Sequence, residues 1–233
     1  VIRSITPVGH SLYLTELVDT YSRIRITDMN GNAVGYVPLP GKGAVVEPNF
    51  HAGGLVPKGH PDEYLFAFSS FTQSCGVYHH RPGNDRELEV LKEPKLRLKK
   101  IIVEDRWATS EDGTQIPYHS VRLASTQLTT PQPTLIYGYG GFNLPHYPHF
   151  PAHGMAAFVA AGGVYIHSHL RGGGEFGSEW GKSGRRNYKE SSYLDLYAIA
   201  EDLISNKETT SKKLAVSGSS NGGLMGGVAL TKR

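Results

Sequence analysis

The pentapeptide Gly218-Ser219-Ser220-Asn221-Gly222 constrains this chain more than any other stretch. A short apolar run suited to a buried strand, Leu214, Ala215 and Val216, stands before it. Leu224, Met225, Val228, Ala229 and Leu230 follow at helical spacing. A strand entering a helix through G-x-S-x-G is a nucleophile elbow. The turn forces the serine into a strained backbone, and glycine two residues to either side avoids a collision. The helix then aims its free N–H groups at the hydroxyl, which favours negative charge developing there. The bland rivals are a Gly/Ser-rich turn or a phosphate loop. No G-x-x-x-x-G-K-[ST] is present, and the near-match Gly181-Lys-Ser-Gly-Arg lacks the final glycine and a preceding strand.

Composition removes other classes. With 24 Lys+Arg against 21 Asp+Glu and only a short basic cluster at residues 95–100, nothing marks a nucleic-acid surface. No apolar run approaches the ~20 residues of a membrane span. The single cysteine, Cys75, excludes an internal disulfide framework and fits a reducing, cytoplasmic setting. At 233 residues the chain can hold one large domain or two smaller ones. It opens on Val1 mid-pattern and stops about three turns into the helix after the elbow. Both ends are expected to be cuts through a larger protein.

Residues 1–100 read as antiparallel β, with apolar or alternating runs at 11–17, 21–28, 33–37, 64–71, 76–80 and 87–91. Met29-Asn-Gly-Asn and Arg81-Pro-Gly-Asn-Asp are turn signals of the hairpin type. Such groups of short strands suit the C-terminal blades of a β-propeller. From residue 101 to 233 the pattern changes. A strand pair at 101–107 and 116–123 brackets Glu111-Asp-Gly-Thr, and a short strand follows at 135–137. Helix 152–161, strand 163–167, helix 192–205, strand 213–217 and the post-elbow helix then alternate, which predicts a parallel sheet covered by helices. In helix 192–205, Ser192 and Asp195 form a capping box, and Leu196, Ile199, Ala200 and Leu203 make one apolar face. It reads as scaffold.

Tyr137-Gly-Tyr-Gly-Gly-Phe follows a strand, and its glycines let the backbone turn sharply while holding Tyr139 beside whatever occupies the loop. Tyr139 could donate a hydrogen bond from its phenolic O–H to an oxyanion across from Ser220, or could simply pack. Arg171-Gly-Gly-Gly-Glu-Phe-Gly lacks phosphate-loop spacing and reads as a tight loop. His167 and His169 share a strand face, but the third-ligand candidates His146, His149 and His153 sit among prolines that forbid an aligning helix, so no metal is expected. Cys75 has no cationic cluster beside it and reads as an inert buried thiol.

Three motifs, Tyr137-Gly-Tyr-Gly-Gly-Phe-Asn, Leu170-Arg-Gly-Gly-Gly-Glu-Phe-Gly and Gly218-Ser-Ser-Asn-Gly-Gly-Leu, together resemble the prolyl oligopeptidase family of serine peptidases. The resemblance is strong over about residues 60–233. It implies an α/β-hydrolase domain capped by a propeller, needing no cofactor and cutting short peptides after proline. Ser220 would be the nucleophile, Tyr139 and the backbone N–H of Asn221 the oxyanion hole, and Phe142 a wall of the substrate pocket. Leu194 stands where the family often has an acidic residue, and reads as a scaffold change.

Under the α/β-hydrolase order, the triad aspartate and histidine follow the serine, yet residues 221–233 contain neither. The chain by itself is therefore expected to be inactive. Two other readings stand beside the peptidase. One is an esterase or acyl-aminoacyl peptidase on the same scaffold, and the other a propeller-bearing binding protein with a vestigial elbow. Oligomeric state is not legible.

Overall fold

The runs of alternating residues in the first part of the chain become two antiparallel sheets in the computed structural model, which describes residues 1–46, 53–83, 87–151 and 154–232. The chain divides into two compact units, Val1–Arg97 with Tyr147–Phe150, and Leu98–His146 with Pro151–Arg233.

In the first unit β1 (Ile2–Val8), β2 (Ser11–Val18), β3 (Tyr21–Asp28) and β4 (Ala33–Tyr36) pair in sequence order as one propeller-like blade. The Met29-Asn-Gly-Asn turn closes because the Asp28 carboxylate accepts the backbone N–H groups of Asn30 and Asn32, each at 2.9 Å, while Gly31 takes a positive φ. The second sheet runs β5 (Ala44–Val46), β7 (Tyr64–Ser69), β8 (Gly76–His80), β9 (Glu89–Lys92), with β6 (Gly54–Leu55) also on β7. Asn84 and Asp85 of the second turn signal lie outside the described residues. The core is aromatic: Tyr13 and Tyr64 lie 4.7 Å apart by ring centroids, and Phe66 and Tyr78 stack at 5.7 Å. Three strands, β1, β5 and β6, escape the sequence reading. Cys75 is exposed rather than buried, because it lies in the turn segment between β7 and β8. Partial desolvation still raises its thiol pKa, against the Lys92 charge.

The second unit begins with the hairpin β10 (Ile101–Thr109) and β11 (Gln115–Leu123), then β12 (Thr134–Tyr137), α1 (Met155–Ala160), β13 (Val164–Ser168), α2 (Ser178–Lys182), α3 (Lys189–Ser205), β14 (Leu214–Ser217) and α4 (Asn221–Lys232). The sheet order is β10-β11-β13-β12-β14. β13, β12 and β14 are parallel, and β11 joins β13 antiparallel, so the sheet is mixed. Ile136, Val164 and Ile166 meet Leu196, Ile199 and Leu203 of α3 in the core, as the helical spacing requires, with Leu194 partly buried beside them.

Two expectations fail here. The elbow strand is not buried: β14 is the sheet edge, and Ala215 and Val216 are exposed because nothing in the described residues covers their outer side. The capping box does not form either. α3 starts three residues earlier, its cap residue Tyr188 makes no side-chain cap, and Asp195 is fully buried against Arg171. An interior guanidinium claims a carboxylate more strongly than a helix-end N–H does. Ser192 instead donates to the Arg171 carbonyl at 2.6 Å.

Candidate active site

β14 carries the chain to Gly218, and α4 begins at Asn221, so Ser220 stands at the tip of a strand–turn–helix. Its φ is +52°, a left-handed conformation that costs a serine roughly 1–3 kcal/mol and persists only where the surroundings enforce it. They do so by crowding. A Cβ at Gly218 would sit 2.6 Å from the Gly222 carbonyl carbon, and one at Gly222 would strike the Gly138 carbonyl oxygen. The helix locks onto the turn through Gly223 N–H to Ser220 O at 3.0 Å and Leu224 N–H to Ser220 O at 3.1 Å. Ser220 itself is exposed.

The glycine loop after β12 meets this elbow. Asn221, at the head of α4, donates its side-chain amide to the Tyr139 carbonyl and, at 3.1 Å, to that of Gly140. Sequence reasoning assigned only its backbone N–H, which as a first-turn amide has no acceptor within the helix. Nothing in the sequence marks the side-chain contact. Tyr139 is half-buried, its ring 4.9 Å from His146 and 6.4 Å from Phe142. Phe142 is 73% exposed, and both it and Asn143 take positive φ, which turns the aromatic side chain outward beside Tyr139. Thus the structure gathers Ser220, Asn221, Tyr139 and Phe142 on one pair of loops. Tyr137, absent from the sequence-based set, joins them. Burial raises its phenol pKa, and a hydrogen bond with Ser219, the neighbour of Ser220, opposes that shift.

Arg171-Gly-Gly-Gly-Glu-Phe-Gly is the mould for this loop. Asn143 N–H donates to the Gly172 carbonyl at 2.9 Å, and a Cβ on Gly172 would lie 2.5 Å from the Gly140 carbonyl oxygen. Arg171 anchors the mould by pairing with Asp195 at 2.6 Å and with Asp112. On the opposite face of the sheet from Ile166, His167 and His169 stack edge-on to each other at 5.2 Å, and His119 meets His169 at 4.9 Å. Among the described residues no group of three or more His, Cys, Asp or Glu side chains could hold a metal ion. His153 lies outside them.

His169 is fully enclosed, and burial depresses its pKa from 6.5 to about 3, against the Asp105 charge. The unfolded chain therefore takes up a proton that the folded chain refuses. This stabilising contribution is complete above pH 6.5 and is lost as pH falls towards 3. Between pH 7 and pH 5 the site should cost about 2 kcal/mol of stability. Urea unfolding at the two pH values checks this, and His169→Asn should remove most of that difference.

A concavity lined by Gln132, Pro133, Phe158 and Gly163 lies at the opposite, N-terminal ends of the parallel strands. The elbow and the glycine loop lie at their carboxyl ends, where open α/β sheets place ligands.

A mixed sheet flanked by helices, with a serine elbow after its edge strand and propeller-like antiparallel sheets before it, defines an α/β-hydrolase-type scaffold of the propeller-bearing kind. Residues 148–233 match the model of the prolyl oligopeptidase family. The prolyl endopeptidase of Elizabethkingia miricola is 30% identical over 227 residues, which are 97% of this chain and 31% of that protein. A solved prolyl endopeptidase structure superposes on the whole chain and 33% of its own, with a TM-score of 0.90 at 34% identity. Prolyl oligopeptidase B from Galerina marginata, bound to a 35-residue substrate, matches 96% of this chain and 31% of its own, at TM-score 0.85 and 25% identity. The chain belongs to the prolyl oligopeptidase family. It spans about a third of the length of these relatives.

Proposed function

We propose that this chain supplies the nucleophile and the oxyanion hole of a serine peptidase that hydrolyses short peptides after proline, through an acyl-enzyme on Ser220. The observation that carries this reading is the tie between the strained Ser220 elbow and the Tyr139 loop through the Asn221 side chain. In this reading residues 1–100 are C-terminal propeller blades and residues 101–233 the N-terminal part of the catalytic domain.

Ser220 Oγ attacks the scissile carbonyl, a histidine takes its proton, and a carboxylate orients that histidine. The Tyr139 hydroxyl and the Asn221 N–H receive the oxyanion, and Phe142 walls the pocket for the residue before the scissile bond. Residues 221–233 offer no Asp or His, so the reading assigns both to positions outside residues 1–233. The solved Galerina marginata enzymes bear alanine in place of a serine, an aspartate or a histidine, in that order along the chain. That order is the one this proposal needs.

The test is hydrolysis of fluorogenic Gly-Pro, Gly-Ala and Gly-Arg amides by the full-length protein. Preference for the Gly-Pro amide is expected. Equal rates on all three would remove proline specificity, and no turnover of any would remove the peptidase. Tyr139→Phe should lower kcat by roughly 10²–10³ with a smaller change in KM, since it deletes one oxyanion donor. A kcat within about threefold of the parent would reduce Tyr139 to packing.

A further inference from the structure

Lys189 opens α3, where a cation is poorly placed. It faces the positive end of the helix dipole, and burial lowers its pKa further. The Tyr193 ring lies 5.5 Å from the ammonium. The ammonium itself reaches across to the glycine loop and donates to the Gly140 carbonyl at 2.6 Å, with the Ser192 hydroxyl at 3.3 Å. The same carbonyl accepts the Asn221 side-chain amide at 3.1 Å, while the Ser192 hydroxyl, 3.4 Å away, gives its hydrogen bond to the Arg171 carbonyl at 2.6 Å. Two donors from the heads of two helices, Lys189 of α3 and Asn221 of α4, thus converge on one oxygen, and that oxygen belongs to the residue directly after Tyr139.

We propose that Lys189 is a positioning residue for the oxyanion hole, clamping the Gly140 carbonyl so that Tyr139 and Asn221 are held in register with Ser220. This rests on the reading of Tyr139 and Asn221 as oxyanion donors. The chemistry follows from the geometry. Phe142 sits at φ +56° and Asn143 at +55°, so the end of the loop holds two non-glycine residues in a conformation their own backbone does not favour. A charged donor at 2.6 Å is the stronger of the two bonds to that carbonyl and fixes the Gly140–Gly141 peptide plane, one residue beyond Tyr139. Asn221 shares the acceptor, so release of the carbonyl loosens both donors together. A displacement near 1 Å at such a site costs on the order of 10²-fold in rate.

The experiment compares Lys189→Met, Lys189→Gln and Lys189→Arg in the full-length protein by two readouts. The first is steady-state hydrolysis of the Gly-Pro amide. Lys189→Met and Lys189→Gln should each lower kcat by roughly 10- to 10²-fold while KM stays within about threefold. Lys189→Arg, which keeps a charged donor, should recover most of the loss. The second is hydrogen–deuterium exchange of the peptide spanning residues 137–143, which should speed up in the Met and Gln variants and return towards the parent in Arg, with the rest of the second unit unchanged. A kcat within twofold of the parent in both neutral variants would overturn the proposal, as would a drop shared equally by the Arg variant. If the parent protein cleaves no peptide, the peptidase reading fails instead, and exchange alone decides. Unchanged loop exchange would then overturn the clamp, and a selective increase would sustain it.

Discussion

Ser220→Ala in the full-length protein should abolish covalent labelling by a fluorophosphonate probe and lower kcat by about 10⁶, with little effect on folding. The size follows from the role: removing a nucleophile that works with a base and an oxyanion hole costs nearly the whole of the covalent pathway. The small folding effect follows from the site. Ser220 is exposed, and its +52° φ strains alanine much as it strains serine. The hydroxyl therefore contributes to chemistry and little to the turn. Intact-mass analysis after probe treatment gives the answer directly, with thermal unfolding run alongside as the control. Persistent labelling of the variant would place the nucleophile on another residue and leave the elbow as scaffold.

How far the sequence reveals this site depends on the range of the interaction. The elbow is legible because its constraint is local: glycines two residues to either side of Ser220 are needed by a turn that spans only those residues. The α3 face is legible because Leu196, Ile199 and Leu203 repeat at the helical period. Hairpins such as β10–β11 announce themselves by Asp112 and Gly113, whose turn chemistry is also local. What stays hidden is what reaches across the chain. Asp195 looks like a cap partner for Ser192 until Arg171, 24 positions away, is seen to hold it. Lys189 looks like a surface charge until the Gly140 carbonyl, 49 positions away, arrives at its tip. Asn221 offers its backbone to the motif and its side chain to a loop 81 positions earlier. Glu16 gives no sign of burial, since the arginines that stabilise it, Arg23 and Arg25, sit on the neighbouring strand.

The Arg171–Asp195 pair carries the largest expected stability effect. Asp195 is 0% exposed and accepts four kinds of donor: the Ser110 hydroxyl at 2.8 Å, the Arg171 backbone N–H at 3.0 Å, its Nε at 3.0 Å and its Nη2 at 2.6 Å. Burial works against the Arg171 charge, but hydrogen bonds to Asp195 and Asp112 outweigh it and hold the guanidinium firmly protonated. Asp195→Ala leaves that charge inside the protein with the half-exposed Asp112 as its one remaining carboxylate and the Thr114 and Ser110 hydroxyls as neutral partners. The cost of breaking such a pair from one side is about 3–5 kcal/mol, most of it the stranded charge rather than the worth of the pair. The double variant Asp195→Leu with Arg171→Met should therefore be more stable than Asp195→Ala alone, because it removes the uncompensated charge and refills the space. Urea unfolding of the three proteins measures both claims, and a loss below about 1 kcal/mol for Asp195→Ala would show that Asp112 suffices. The same experiment reaches the site. Arg171 presents its carbonyl to Ser192 and leads into Gly172, which packs on Gly140, so the double variant can keep its fold and still lose the mould beneath Tyr139. A stable double variant with slowed Gly-Pro amide hydrolysis would separate the two roles of the pair, one in holding the unit together and one in shaping the loop.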